Sequence, residues 1–174
     1  MRRAVIGIVL AVLALVSVAL ASMVVTYYVS VTPVVVKSPV EFESGADGVS
    51  TIDNVNKTRA TIQAKIIPVA WWVSEDALRI HNVNGTQVQM RLRCLSVADP
   101  SMVIKAIKFY LVIDDTENLA VELGENGVVI QGESGWYVMA LDAIYKVKVV
   151  TEGKSGIVEG TQAMVTLGLE VRSV

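Results

Sequence analysis

From Val34 to the C-terminus no stretch longer than about ten residues keeps a helical apolar period, while period-two alternation recurs between turn signals. Alternation puts one apolar face on each extended run, and such faces are stable only when two sheets bury them against each other. Val40 to Phe42 is a short run ended by the loop-like Glu43–Gly48. Arg59 to Trp72 alternates through Ala60, Ile62, Ala64 and Ile66, with Pro68 expected to mark an edge or a bulge. Leu78 and Ile80, then Asn84-Gly85, then Val88, Met90, Leu92 and Cys94 predict a hairpin. Met102 to Ile113 is a further strand, closed by the polar run Asp114–Asn118. Ala120–Leu123, Val128–Gln131, Trp136–Met139, Tyr145–Thr151 and Ala163–Val171 complete the series. About nine strands at a spacing of about ten residues predict an all-β, jelly-roll-like two-sheet β-sandwich, without internal repeat or second domain.

Composition removes most catalytic classes. The chain has 174 residues, with 15 Lys+Arg against 17 Asp+Glu for a net charge of -2, one His and one Cys. That balance is wrong for a nucleic-acid binder, and a single Cys cannot staple a disulfide domain. His81 and Cys94 together cannot supply a four-ligand zinc site, and blue-copper geometry needs two His. No nucleophile, base and ligand set of an enzyme is present in the sequence, so neither catalysis nor a cofactor is expected.

The N-terminal third has a different character. After Arg2 and Arg3 no charged residue occurs until Lys37, and from Ala4 to Val25 only Gly7, Ser17 and Ser22 interrupt the apolar run. A short basic start, an apolar stretch and the Ala19-x-Ala21 pattern read as a secretory signal cut between Ala21 and Ser22. An uncleaved membrane anchor is the second reading, because the run is long enough to span a bilayer. A third is the signal of an archaeal type IV pilin, cut near Ala4 so that the apolar stretch survives as a filament helix. Past Ser22, Val25, Tyr27, Val29 and Val31 fall on one face and Thr26, Tyr28, Ser30 and Thr32 on the other, which is a strand pattern. The expected organisation is therefore a signal peptide over 1–21, an N-terminal strand over 22–36 and a sandwich domain over 37–174. Loss of Arg2 and Arg3 with the signal would take the net charge to about -4.

The Arg-rich signal, the apolar strand directly after the cleavage site (Met23 to Val36) and the Ala77–Leu92 hairpin pattern together resemble the TasA/camelysin group, whose archaeal relatives are bundling pilins. The resemblance implies a jelly-roll subunit that polymerises when its N-terminal strand inserts into a neighbour's sheet, forming fibres of the biofilm matrix. Carried onto this chain, the implied donor strand is Val24 to Val36, with Val24, Val25, Tyr27, Val29, Val31, Val34 and Val36 at the subunit interface. The peptidase activity suggested by the camelysin name is not expected, because the sequence has no His-Glu-x-x-His motif.

Other residues invite chemistry without requiring it. Cys94 shares the apolar face of Val88, Met90 and Leu92 and is expected to be a small buried side chain. Glu43–Asp47 and Asp114–Asn118 offer oxygen donors but lack calcium-loop spacing, so solvated turns are expected. Trp71-Trp72 places one indole inward and one outward on a strand. Asn56-Lys57-Thr58 and Asn84-Gly85-Thr86 are sequons, making Asn56 and Asn84 candidate glycosylation sites in loops. The expected role is structural: an exported filament subunit whose partners are copies of itself and neighbouring filaments in bundles, with no nucleic acid, and with a membrane only during export. A type IV pilin and a membrane-anchored β-sandwich binding module are the alternatives.

Overall fold

The structure, a computed structural model, describes residues 38–174 apart from Asn56, Pro100, Glu159 and Gly160. These belong to the compact unit Val36–Val174. The expected signal peptide, the cleavage pair Ala21–Ser22, the donor-strand residues Val24 to Val36 and the sequon residue Asn56 lie outside the described residues.

Eleven strands follow in order: β1 (Val40–Ser44), β2 (Ser50–Ile52), β3 (Arg59–Lys65), β4 (Trp71–Asn82), β5 (Val88–Ala98), β6 (Ile104–Ile113), β7 (Thr116–Leu123), β8 (Val129–Gln131), β9 (Tyr137–Met139), β10 (Ile144–Gly153) and β11 (Gln162–Ser173). One 3-10 turn, Glu125–Gly127, stands between β7 and β8, and no α-helix occurs among the described residues. A six-stranded sheet has the order β1-β4-β10-β6-β7-β8 and a five-stranded sheet the order β2-β3-β11-β5-β9. Every strand pair is antiparallel, and the protein is an all-β two-sheet sandwich.

The alternation read from the sequence is what fills the core. Ile62, Leu92 and Val165 of the five-stranded sheet and Ile80, Phe109, Leu111 and Val149 of the six-stranded sheet are fully buried in one cluster. Each such side chain contributes about 1.5–3 kcal/mol of burial before entropy costs. Outward positions carry charges that pair across strands, as in Lys105–Glu152 (2.6 Å) and Lys108–Glu122 (3.2 Å).

Three expectations change. The strands flanking Asn84-Gly85 do not form a hairpin: β4 pairs with β1 and β10, whereas β5 pairs with β11 and β9. The turn is an arch from one sheet to the other. Its anchor is Asn82, fully buried, whose side-chain amide donates to the carbonyls of Thr86 (2.8 Å), Met139 (3.3 Å) and Ala140 (2.8 Å). Arg59 to Trp72 is likewise two elements, because the chain leaves the five-stranded sheet after Lys65 and enters the six-stranded sheet at Trp71. Pro68 sits in that crossing and meets Gly153 in an isolated bridge, so it is a linker residue and not part of a strand. Finally, β2 falls between Gly48 and Arg59, where the sequence predicts no strand, and is paired with Ala60–Ile62.

The true tight hairpin is β6–β7. Asp114 and Asp115 both take positive φ (47° and 60°), the conformation of a two-residue turn whose twist matches the flanking strands. Asp tolerates it better than most side chains.

Candidate functional site

Strand register divides the sandwich into two ends. Ser38, Asn82, Val88, Met139 and Ser173 gather at one, since Val40 pairs with Asn82, and Val88 with both Met139 and Ser173. Trp71, Ala98, Lys65, Ile104 and Gly153 mark the other. The described chain therefore begins at the Asn82 end.

At the Trp71 end the two sides of the sandwich differ. On the β5 side the chain closes on itself: the Cys94 amide donates to Gly132 O (2.8 Å) and the Ser134 amide to Leu92 O (2.9 Å). Gly127 lies against Val97, where an added Cβ would stand 2.7 Å from Val97 Cγ1, so a left-handed glycine (φ 74°) makes that closure possible.

The β4 side is open. β1 covers β4 only from Leu78 to Asn82, and the earlier stretch Trp71–Glu75 has no strand partner beyond β10 among the described residues. The chain turns away from β4 because a wide irregularity occupies Glu75–Ala77, between the pairs Val147–Leu78 and Val149–Ser74. Gly45 fits against it so closely that a Cβ would sit 1.9 Å from Asp76 O. Asp47 then fastens the crossing chain, accepting from Ser74 Oγ (2.6 Å) and the Asp76 amide (3.0 Å). These bonds hold its carboxyl below the usual carboxylate range, the Ser74 hydroxyl foremost.

Beyond that crossing lies a cleft lined by Asp47, Val49, Lys65, Trp72, Val73 and Glu75, with Ser74 between the last two. Trp72 pairs in register with Thr151, which is fully buried, so its ring faces inward and packs on the core. Trp71 and Val73 pair with Glu152 and Val150 and face outward, 54% and 43% exposed. The expected inward and outward indoles are thus Trp72 and Trp71. Among the described residues the cleft offers strand edge without a further partner, with Trp72 and Val73 beside Asp47, Lys65, Ser74 and Glu75, and an edge of that kind can take an extended polypeptide.

The remaining sequence candidates are placed elsewhere. Cys94 is half-buried, and burial pushes its thiol pKa up, which disfavours the reactive thiolate. His81 Nδ1 lies 2.7 Å from Glu43 Oε1 on the outer surface of the β1–β4 pair. Asn84 is exposed at the arch, its amide donating to Thr86 Oγ1 at 3.3 Å, so the sequon faces solvent. No group of three or more His, Cys, Asp or Glu is arranged to hold a metal ion among the described residues.

Sequence reasoning missed the open edge of β4 because it depends on where β1 stops and on the Glu75–Ala77 irregularity. It also missed a polar cluster on the five-stranded sheet. There Glu170 pairs with Arg91 and Arg93, its carboxyl lowered by Arg93 first, and Trp136 lies under Arg172 (4.0 Å) and Arg91 (4.9 Å). The Arg91, Arg93, Glu170 and Arg172 alternation was its available signal.

The fold defines a class: an all-β two-sheet sandwich of open sheets, in which β1 covers only part of β4 among the described residues. Compared with known proteins, the chain matches no family model and no curated sequence.

Proposed function

We propose that this chain is the exported structural subunit of an extracellular filament, resembling the archaeal bundling pilins of the TasA-like group, and that it polymerises by donor-strand addition without catalysing a reaction. The observation that carries the reading is the half-covered β4: a twelve-residue strand whose neighbour β1 has only five. An exposed edge of this kind invites association unless something covers it. The sequence contains a strand pattern at Val24–Val36 that suits such a role. Burying Val25, Tyr27, Val29 and Val31 would contribute about 8 kcal/mol gross, before the cost of ordering the segment. Donor and acceptor surfaces differ, so the contact is heterologous and builds an open fibre. A modest net charge leaves little repulsion between fibres, which favours lateral bundling.

The test compares a chain beginning at Ser22 with one beginning at Lys37 by electron microscopy. Fibres are expected from the first, and monomers from the second. Fibres from the Lys37 chain would overturn the proposal. Sequencing the N-terminus of native protein separates it from its alternatives: Ser22 fits a donor strand, Val5 a type IV pilin, and Met1 an anchored module.

A further inference from the structure

Resting on the exported state proposed above, though not on polymerisation, we infer that Asn84 carries an N-linked sugar chain added during export. Three observations on the arch lead there. The first is what the arch does to the Asn84-Gly85-Thr86 sequon. A two-residue hairpin turn would account for Asn84 by itself, because such turns need positive φ at both central residues and Asn tolerates it. Yet β4 and β5 lie in different sheets, and of the pair only Gly85 takes positive φ (45°). Conformation accounts for Gly85 and leaves Asn84 without a reason in the fold.

The second observation is what the side chains do. Asn84 Nδ2 donates to Thr86 Oγ1 (3.3 Å), and neither side chain bonds to anything else among the described residues. Asn82, two positions earlier, is the opposite case: its Nδ2 donates to the carbonyls of Thr86, Met139 and Ala140, and its Oδ1 accepts from the Asn84 amide (3.2 Å). One asparagine holds the arch, and the other is held out by it. The third observation is access. Residues Val83 to Gln87 are all exposed. Leu141 in the adjoining loop is 52% exposed, with its Cδ1 3.9 Å from where a Cβ on Gly85 would stand. The C–H faces of the first sugars thus have an apolar neighbour to lie against. The co-reactant is a lipid-phosphate-linked oligosaccharide, presented by a membrane-bound transferase. Asn84 Nδ2 attacks the anomeric carbon and loses one proton; the C–N bond forms as the C–O bond to phosphate breaks, and the lipid phosphate leaves with the electron pair.

The experiment collects native protein from the surface of the producing cells, sequences its N-terminus, and examines the tryptic fragment Ile80–Arg91 by mass spectrometry with fragmentation that retains sugars. A glycosylated fragment is expected, with the sugar on Asn84 and not on Asn82. In the same cells Thr86→Ser should keep the modification, while Thr86→Ala and Asn84→Gln should lose it. Made without the transferase, all three variants should melt within a few degrees of the parent, because the altered side chains are exposed. An unmodified or merely deamidated Asn84 in a chain beginning at Ser22 would overturn the site while leaving export intact, as would a sugar that persists in Thr86→Ala. A native chain that begins at Met1 and stays inside the cell would overturn the exported state and the site with it.

Discussion

The two sides of the sandwich at the Trp71 end solve the edge problem in opposite ways. On the β5 side, Gly132 and Ser134 bond to Cys94 and Leu92, which carries backbone pairing as far as Cys94, and Gly127 seats against the Val97 side chain. On the β4 side the chain departs at Gly45, is fastened by Asp47, and leaves Trp71–Glu75 without a second strand beyond β10 among the described residues. Both sides expose apolar residues: Val129 and Ile130 are 50% and 64% exposed, comparable with Trp71 at 54%. Exposed apolar area by itself therefore does not separate them. The backbone differs at particular residues: Leu92 and Cys94 are bonded by the Gly132–Ser134 chain, whereas Trp71–Glu75 has no strand on the β1 side among the described residues, and a sheet edge recruits a strand through its amide and carbonyl groups.

The sharpest way to break this contrast is to place a charge on each side. Val73→Asp, beside the open edge, is expected to abolish fibres while the isolated domain melts within a few degrees of the parent, because the side chain is exposed until a strand arrives. Val129→Asp on the closed side should leave fibre yield unchanged. Electron microscopy and thermal melts measure both, and the reverse pattern would move the acceptor to β8.

Next in size is Asn82→Ala, which tests whether the arch at the opposite end is held by polar bonds. Losing the amide removes a fully buried donor and leaves the carbonyl of buried Met139, with those of Thr86 and Ala140 at the edge of the arch, without it. A destabilisation of about 3 kcal/mol is expected from denaturant titration. A loss below about 1 kcal/mol would mean that the arch is held by packing instead.

Gly45→Ala probes the point where the chain leaves β4. A Cβ there would overlap Asp76 O, so backbone must shift, at a cost of about 2 kcal/mol. Because that shift also disturbs the Asp47 anchor, fibre yield should fall along with stability.

The smallest effect is in acid. The Asp47 carboxyl is held down by the Ser74 hydroxyl and the Asp76 amide, so its folded pKa lies below its unfolded one. Its contribution is thus fully present above the unfolded carboxylate range and lost as pH falls through the lowered folded value. Glu170, lowered by Arg93 and Arg91, has the same sign. Melting temperature should be flat toward neutral pH and decline in acid, and Asp47→Asn should flatten part of that decline. A decline of equal slope in the variant would assign the acid sensitivity elsewhere.

Strand positions were legible in the sequence because alternation is local. Ala60, Ile62 and Ala64, or Ala163, Val165 and Leu167, declare their buried face whatever their partners. Two sheets followed, since so many one-sided strands can hide their apolar faces only against each other. Partnership was not legible. Asn84-Gly85 carries the same local preference whether it joins neighbours in one sheet or arches between two, and the buried Asn82 amide, reaching carbonyls 57 and 58 residues away in sequence, decides for the arch. The open half of β4 belongs to the same category. It exists because β1 ends at Ser44 and Gly45 must meet Asp76 O, and a contact between residues so far apart along the chain leaves no periodic trace in either segment.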